Sequence, residues 1–306
     1  MKNKIREILE KENIVVKNIS IVPVESGQKI VYFIETDCDN YVLKLIDVTP
    51  SSFFEEVVEI TEAIKEDIMR QSYRINEEIK FSKRCPNFPQ IIKINGEDFI
   101  KCEEIYGKIY LLYLEERFEG DNLNKELKDD NKEFNINEVL NFLLQMAKHI
   151  KIISENGYVH RDIKPDNIIV NKGIYSPIDG GICKDIVNGI DATVTGSRIG
   201  TRRYLAPEQE KIISNYKWTF QTDLYPLGIV AVEMLNSNAR ANYTNDEDIR
   251  DVHVVNKLWL EKDDSEISQR VFKEFVQVVL SQIRAIRFQS IDECIKKLED
   301  LSEEAR

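Results

Sequence analysis

The segment His160-Arg161-Asp162-Ile163-Lys164-Pro165-Asp166-Asn167 sets a carboxylate, an ammonium group and a carboxamide close together. The chain then turns at once to the strand-like Ile168-Ile169-Val170. A carboxylate can take a proton from a hydroxyl, an ammonium can steady an anion, and carboxylate and amide oxygens suit a hard divalent cation. A further carboxylate, Asp179, follows in Asp-Gly-Gly.

Such groups need elements that hold them. Upstream, "NINEVLNFLLQMAKHIKIISENG" repeats apolar residues at three and four, the period of a helix with one buried face. Downstream, "NIIV" and "YSPI" read as a strand pair joined by "NKG", and the second strand runs into Asp179. The first third differs. Residues 3–12 read as a short charged helix, and "NISIVPVESGQKIVYFIETDCDNYVLKLIDV" alternates as three antiparallel strands. The stretch 51–85 is strongly helical, with Ser51 or Ser52 as a cap and acids in its first turn. "PQIIKING", "DFIKCEEIY" and "KIYLLYLEE" return to strands, and helices dominate from "NINEVL" onward. A strand-rich part and a helical part imply two lobes meeting near residues 115–120, and a cleft between lobes is a common ligand site.

Composition narrows the partners. The 306 residues are long enough for one large or two small cores. A net charge of −12 repels phosphate backbones and argues against a nucleic-acid partner, while favouring basic peptides. Five scattered cysteines, Cys38, Cys85, Cys102, Cys183 and Cys294, form no CxxC pair, which argues against a disulfide framework and against zinc. Reduced thiols and a start, "MKNKIREILEKENIVV", that lacks an apolar core point to a cytoplasmic protein without a signal peptide. The longest apolar run, "PLGIVAVEML", falls short of the ~18 residues a membrane span needs. His149 and His253 carry no readable signal, and neither does oligomeric state.

Taken in order, "HRDIKPDN", "DGG", "GTRRYLAPE" (Gly200 to Glu208), "TDLYPLG" and "RAIRFQS" resemble the eukaryotic-like Ser/Thr protein kinases, over about residues 19 to 300. The resemblance implies an α+β, bilobal fold: a small antiparallel β-sheet lobe with a regulatory helix, and a larger, mainly α-helical lobe. It divides the chain into an N-terminal extension (1–18), an N-lobe (19–116) and a C-lobe (117–306). It implies transfer of the γ-phosphoryl group of ATP to Ser or Thr hydroxyls of a protein substrate, with Mg²⁺ or Mn²⁺.

The implied roles fall on particular residues. Asp162 accepts or orients the hydroxyl proton and Lys164 steadies the γ-phosphate, while Asn167 and Asp179 ligate the metal. In "YVLK", Lys44 would bind the α and β phosphates, paired with Glu77 or Glu78; Glu78 is preferred because Ile79 follows it. Val31, Val42 and Ile169 would sandwich the adenine, and Glu116 and Phe118 would offer backbone groups to it. Glu115 stands at the back of that pocket, where a carboxylate needs a partner. Arg161 would meet a phosphate on the activation segment, at Ser197 or else Thr195, and Thr201 follows Gly200 at the segment's end. Glu208 would pair with Arg287, and Asp223 would hold the backbone around His160 and Arg161.

The chain departs from the family pattern twice. "VESGQKIV" keeps Gly27 as its only glycine where the phosphate-covering loop has three, and Lys29 would supply charge instead. Gly180 replaces the phenylalanine that follows the metal-binding aspartate. These departures leave two alternatives beside a working kinase: a nucleotide-binding pseudokinase scaffold, and a small-molecule phosphotransferase, which generally lacks the Gly200-Thr201 and Ala206-Pro207-Glu208 segment. Losing a buried ring removes about 1.5–3 kcal/mol of apolar burial, so the loop at Gly180 is expected to be loose. Hydrogen exchange should find the Gly180 and Gly181 amides fast without nucleotide and slowed by Mg-ATP. Strong protection in the free protein would contradict this.

Overall fold

The computed structural model describes residues 1–23, 29–49, 73–129, 132–180, 184–185, 202–210, 217–236 and 251–306, with backbone alone at 73–75 and 184–185. The chain divides into two compact units, Met1–Phe118 and Glu119–Arg306.

The first unit is built on a five-stranded antiparallel sheet. Its strands are β1 (Val16–Val22), β2 (Lys29–Thr36), β3 (Asn40–Asp47), β6 (Ile100–Ile105) and β7 (Lys108–Glu116), in the order β1-β2-β3-β7-β6. Alternation gives the sheet two unlike faces. Tyr32, Ile34, Leu43, Leu45, Leu112 and Leu114 share one core with Ile5, Ile8 and Leu9 of the helix Lys2–Lys11. The opposite face carries Val31 across from Lys44, Phe33 across from Val42, and then Glu115 and Tyr113 on β7. There Tyr113 and Leu111 pack against Ile79 of the helix Tyr73–Arg84. Residues 50–72, which include most of the expected helix and its cap, lie outside the described residues.

One strand expectation needs correction. "PQIIKING" is not a full strand: only β4 (Lys93–Ile94) forms there, in a two-residue hairpin with β5 (Glu97–Asp98), plus an isolated bridge from Ile91 to Glu115. The reason is local. Asn95 (φ 53) and Gly96 (φ 86) are both left-handed, the backbone of a tight hairpin turn, and they reverse the chain before a longer ladder can form.

The second unit is mainly helical. The helix Ile136–Glu155 opens with a capping box in which Asn135 and Glu138 bond each other's backbone N–H groups. Its apolar face joins the main core, to which the helices Val252–Lys262 and Ile291–Glu304 also contribute. The helix Phe220–Leu235 is buried along its length from Gln221 to Leu235. Gly228 allows close packing there, since a Cβ would come within 2.8 Å of the Leu280 side chain. β8 (Asp121–Asn122), β10 (Ile168–Asn171) and β11 (Ile174–Pro177) form a small sheet, and β9 (Tyr158–Val159) pairs with β12 (Lys184–Asp185). At Gly120 (φ +120) a Cβ would lie 2.2 Å from the Val170 carbonyl oxygen, so only glycine lets the chain enter β8 beside β10. No described helix is long and apolar enough to cross a membrane.

Candidate active site

In the first unit, the face of the sheet opposite the N-terminal helix gathers four charged side chains. The Lys44 Nζ lies 3.0 Å from a Glu78 oxygen and 3.0 Å from a Glu115 oxygen. Lys29 reaches the same Glu78 with both carboxylate oxygens in range, at 3.0 and 3.2 Å. Lys44, Glu78 and Glu115 are all buried. Burying charge is costly unless it is paired, and here each charge meets its opposite. Helix phase separates the two candidate glutamates. Glu78 turns to Lys44, whereas Glu77 takes Lys80 of its own helix at 2.7 Å.

Val31 and Val42 lie on the Lys44 face, half-buried. At the end of β7 the Glu116 N–H donates to the Gln90 carbonyl at 2.9 Å, and its side chain accepts from the Gln90 N–H at 3.0 Å. Phe118 is half-buried, and between them the Arg117 guanidinium sits 4.0 Å over the Phe33 ring. Gly27 lies outside the described residues.

In the second unit, the segment between β9 and β10 is hung on one buried carboxylate. Asp223 accepts the backbone N–H of His160 and of Arg161, each at 2.8 Å. Burial pushes the Asp223 pKa up, and the charges and N–H groups of His160 and Arg161 pull it back. The bend this imposes shows in Arg161, which takes a left-handed φ of 69. The Arg161 carbonyl accepts from Gln209 at 2.8 Å, and its guanidinium lies 5.3 Å from the centre of the Trp218 ring.

Asp162 follows directly. Lys164 Nζ stands 3.1 Å from its Oδ2, and Asn167 Nδ2 donates at 3.0 Å to the same oxygen and at 3.0 Å to the Asp162 carbonyl. With its amide nitrogen so engaged, Asn167 has Oδ1 as the atom suited to a cation. Its backbone carbonyl accepts the Ile178 N–H at 2.9 Å, which holds the residue before Asp179 in the same neighbourhood. Asp179 is half-buried with a left-handed φ of 62. The pair of hard oxygens from Asn167 and Asp179 fits Mg²⁺, which keeps waters and phosphate oxygens in its shell and takes few protein ligands. Ile169 is half-buried on β10.

A second buried charge cluster supports the unit. Arg287 binds both Glu208 oxygens, at 2.9 and 3.0 Å, and its guanidinium also donates to the carbonyls of Gln221 and Ser281. Glu208 accepts from the Thr222 hydroxyl at 3.0 Å, the residue beside Asp223. Buried Glu233 holds Arg203 and, at 2.9 Å, the Tyr204 hydroxyl. Ser197, Thr195 and Thr201 lie outside the described residues.

Sequence reasoning missed several partners. The sequence marks Glu115 as a carboxylate in need of one without pointing to Lys44. The strand register, which sets Val42 opposite Glu115 and so Lys44 one step along the same face, is the signal that finds it. Lys29, which the sequence offers as a charge for the phosphate-covering loop, pairs with Glu78 in this structure. Gln209, Trp218 and Glu233 carried no signal at all.

Comparison with known proteins agrees on one family. A model of the protein kinase domain matches residues 55–298. A probable serine/threonine-protein kinase of Clostridium perfringens is 26% identical over 251 residues, 78% of this chain and 34% of that protein. A probable serine/threonine-protein kinase of Clostridium acetobutylicum is 38% identical over 116 residues, 38% of this chain and 17% of that protein. One of Bifidobacterium longum is 33% identical over 154 residues, 48% of this chain and 18% of that protein. The chain thus spans about a third or less of the length of these relatives.

Arg287→Ala would leave the Glu208 carboxylate buried without its main partner. We expect urea denaturation to show a loss of about 3–5 kcal/mol; a change below about 1 kcal/mol would mean that the pair is not what holds this region.

Proposed function

This chain belongs to the protein kinase family, and on that premise we propose that it transfers the γ-phosphoryl group of ATP to Ser or Thr hydroxyls of protein substrates. The observation that carries the reading is the Asp162 arrangement. Lys164 and Asn167 both address Oδ2, which leaves Oδ1 to orient a substrate hydroxyl and accept its proton. Asp223 fixes the backbone on which Asp162 stands, so the carboxylate is aimed before any substrate arrives.

Mg-ATP, when bound, supplies the group to be moved together with a cation that offsets its charge. Asn167 and Asp179 would hold the metal. Lys44, oriented by Glu78, would meet the α and β phosphates, and Lys164 would steady the γ-phosphate as charge shifts. Val31, Val42 and Ile169 would flank the adenine, with backbone groups at Glu116 and Phe118 beside it. Serine and threonine as acceptors are supported by the Gly200-Thr201 pair, by Lys164 and by the names of the relatives. The same reading places a self-modified residue at Ser197 or Thr195, where Arg161 would receive the phosphate.

The test compares the parent with Asp162→Asn in a γ-labelled ATP assay, with mass analysis of the peptide 185–202. A general base contributes about 10²–10⁴-fold, so transfer should fall by that order while Mg-ATP still binds. Modification within 185–202 should vanish with it. A parent that binds Mg-ATP yet transfers nothing would instead support the scaffold reading.

A further inference from the structure

We infer that Glu115 is a second positioning residue for Lys44, so that the lysine is held from within the sheet as well as by the helix Tyr73–Arg84. Lys44 is equidistant from two carboxylates, at 3.0 Å from Glu78 and 3.0 Å from Glu115. These two come from different kinds of support. Glu78 stands on a helix, and its oxygens are shared with Lys29. Glu115 stands on β7, hydrogen-bonded in register to β3, on which Lys44 itself lies. Diagonal neighbours on adjacent strands are within reach of long side chains, and their spacing is set by the ladder. A shift of the helix changes the Lys44–Glu78 distance; it leaves the Lys44–Glu115 distance unchanged.

Burial makes this second contact binding. The side chains of Lys44 and Glu115 are only 7% and 10% exposed, so water does not replace the contact if it is broken. Lys44 therefore keeps its direction when Glu78 is lost or displaced. In a family whose lysine depends on the helix glutamate for its orientation, this chain carries an independent support on the neighbouring strand.

The test uses Glu78→Gln, Glu115→Gln and the double variant, with two readouts. The first is the rate at which an N-hydroxysuccinimide acetate reagent acetylates Lys44 in the nucleotide-free protein, followed by peptide mass spectrometry. An ammonium locked between carboxylates is a poor nucleophile, so freeing it raises the rate. Each single change should raise labelling by about threefold or less, and the double change by about tenfold beyond the product of the two, the non-additivity expected of one network. Glu115→Asp should restore much of the protection in the Glu78→Gln background. Should the double variant label no faster than Glu78→Gln alone, Glu115 does not position Lys44 and the inference is wrong. If the double variant does not fold, Lys29→Met with Glu115→Gln replaces it, loosening Glu78 without removing it, with the same expectation and the same contrary result.

The second readout, Mg-ATP affinity by calorimetry, rests on the reading that Lys44 meets phosphate, and should follow the same pattern. If labelling behaves as expected while Lys44→Met binds Mg-ATP as tightly as the parent, the positioning role stands and the phosphate-binding role falls.

Discussion

A carboxylate taken out of water must be met by donors, and both units are arranged around that constraint. In the first, Glu78 and Glu115 are answered by Lys29 and Lys44 on the free face of the sheet. In the second, Asp223 is answered by two backbone N–H groups, Glu208 by Arg287 and Thr222, and Glu233 by Arg203 and Tyr204. Burial of a charged group is unfavourable by itself, and at Asp223 it pushes the carboxyl pKa up. Their pairing adds little net stability, but it fixes which backbone and which side chain stand where. That is what a phosphoryl-transfer site requires, because positioning and electrostatics supply most of the catalysis.

Asp223 illustrates how a remote residue sets local chemistry. Its carboxylate binds the two backbone amides that precede Asp162. The left-handed backbone at Arg161 is held open by that grip, and Gln209 secures the same residue from its carbonyl. Asp162 then needs only Lys164 and Asn167 to select which of its oxygens faces outward. The helix Phe220–Leu235 carries Asp223 and is buried along most of its length, so the anchor moves only if the core does.

Much of this was legible in the sequence because the informative residues are close along the chain. The period of "VLNFLLQMAKHI" gave the helix, and the order of HRDIKPDN, DGG and APE gave the family. The pairing of Glu208 with Arg287, far apart in sequence, was readable only through the family resemblance. Two features needed three dimensions. Adjacent glutamates 77 and 78 have the same chemistry, and only helix phase against the sheet decides that Glu78 faces Lys44. The Glu115 contact depends on the register of β3 against β7, which a one-residue slip would reverse, and alternation alone does not fix it. The expected strand at "PQIIKING" failed for the opposite reason. Its apolar residues suggested a ladder, but the Asn95-Gly96 turn is strong enough locally to end it.

Under the function we propose, Asp162, Asn167 and Asp179 act on a metal-bound triphosphate whose phosphates Lys44 meets. The most direct test of that function is a crystal structure with a non-hydrolysable ATP analogue and Mn²⁺, located by anomalous scattering. Manganese is expected on oxygens of Asn167 and Asp179, with a phosphate oxygen on the Lys44 ammonium and Asp162 Oδ1 turned toward the γ-phosphate side. Nucleotide seen at saturation with manganese elsewhere, Asp179 turned away and no phosphate oxygen on Lys44 would contradict it.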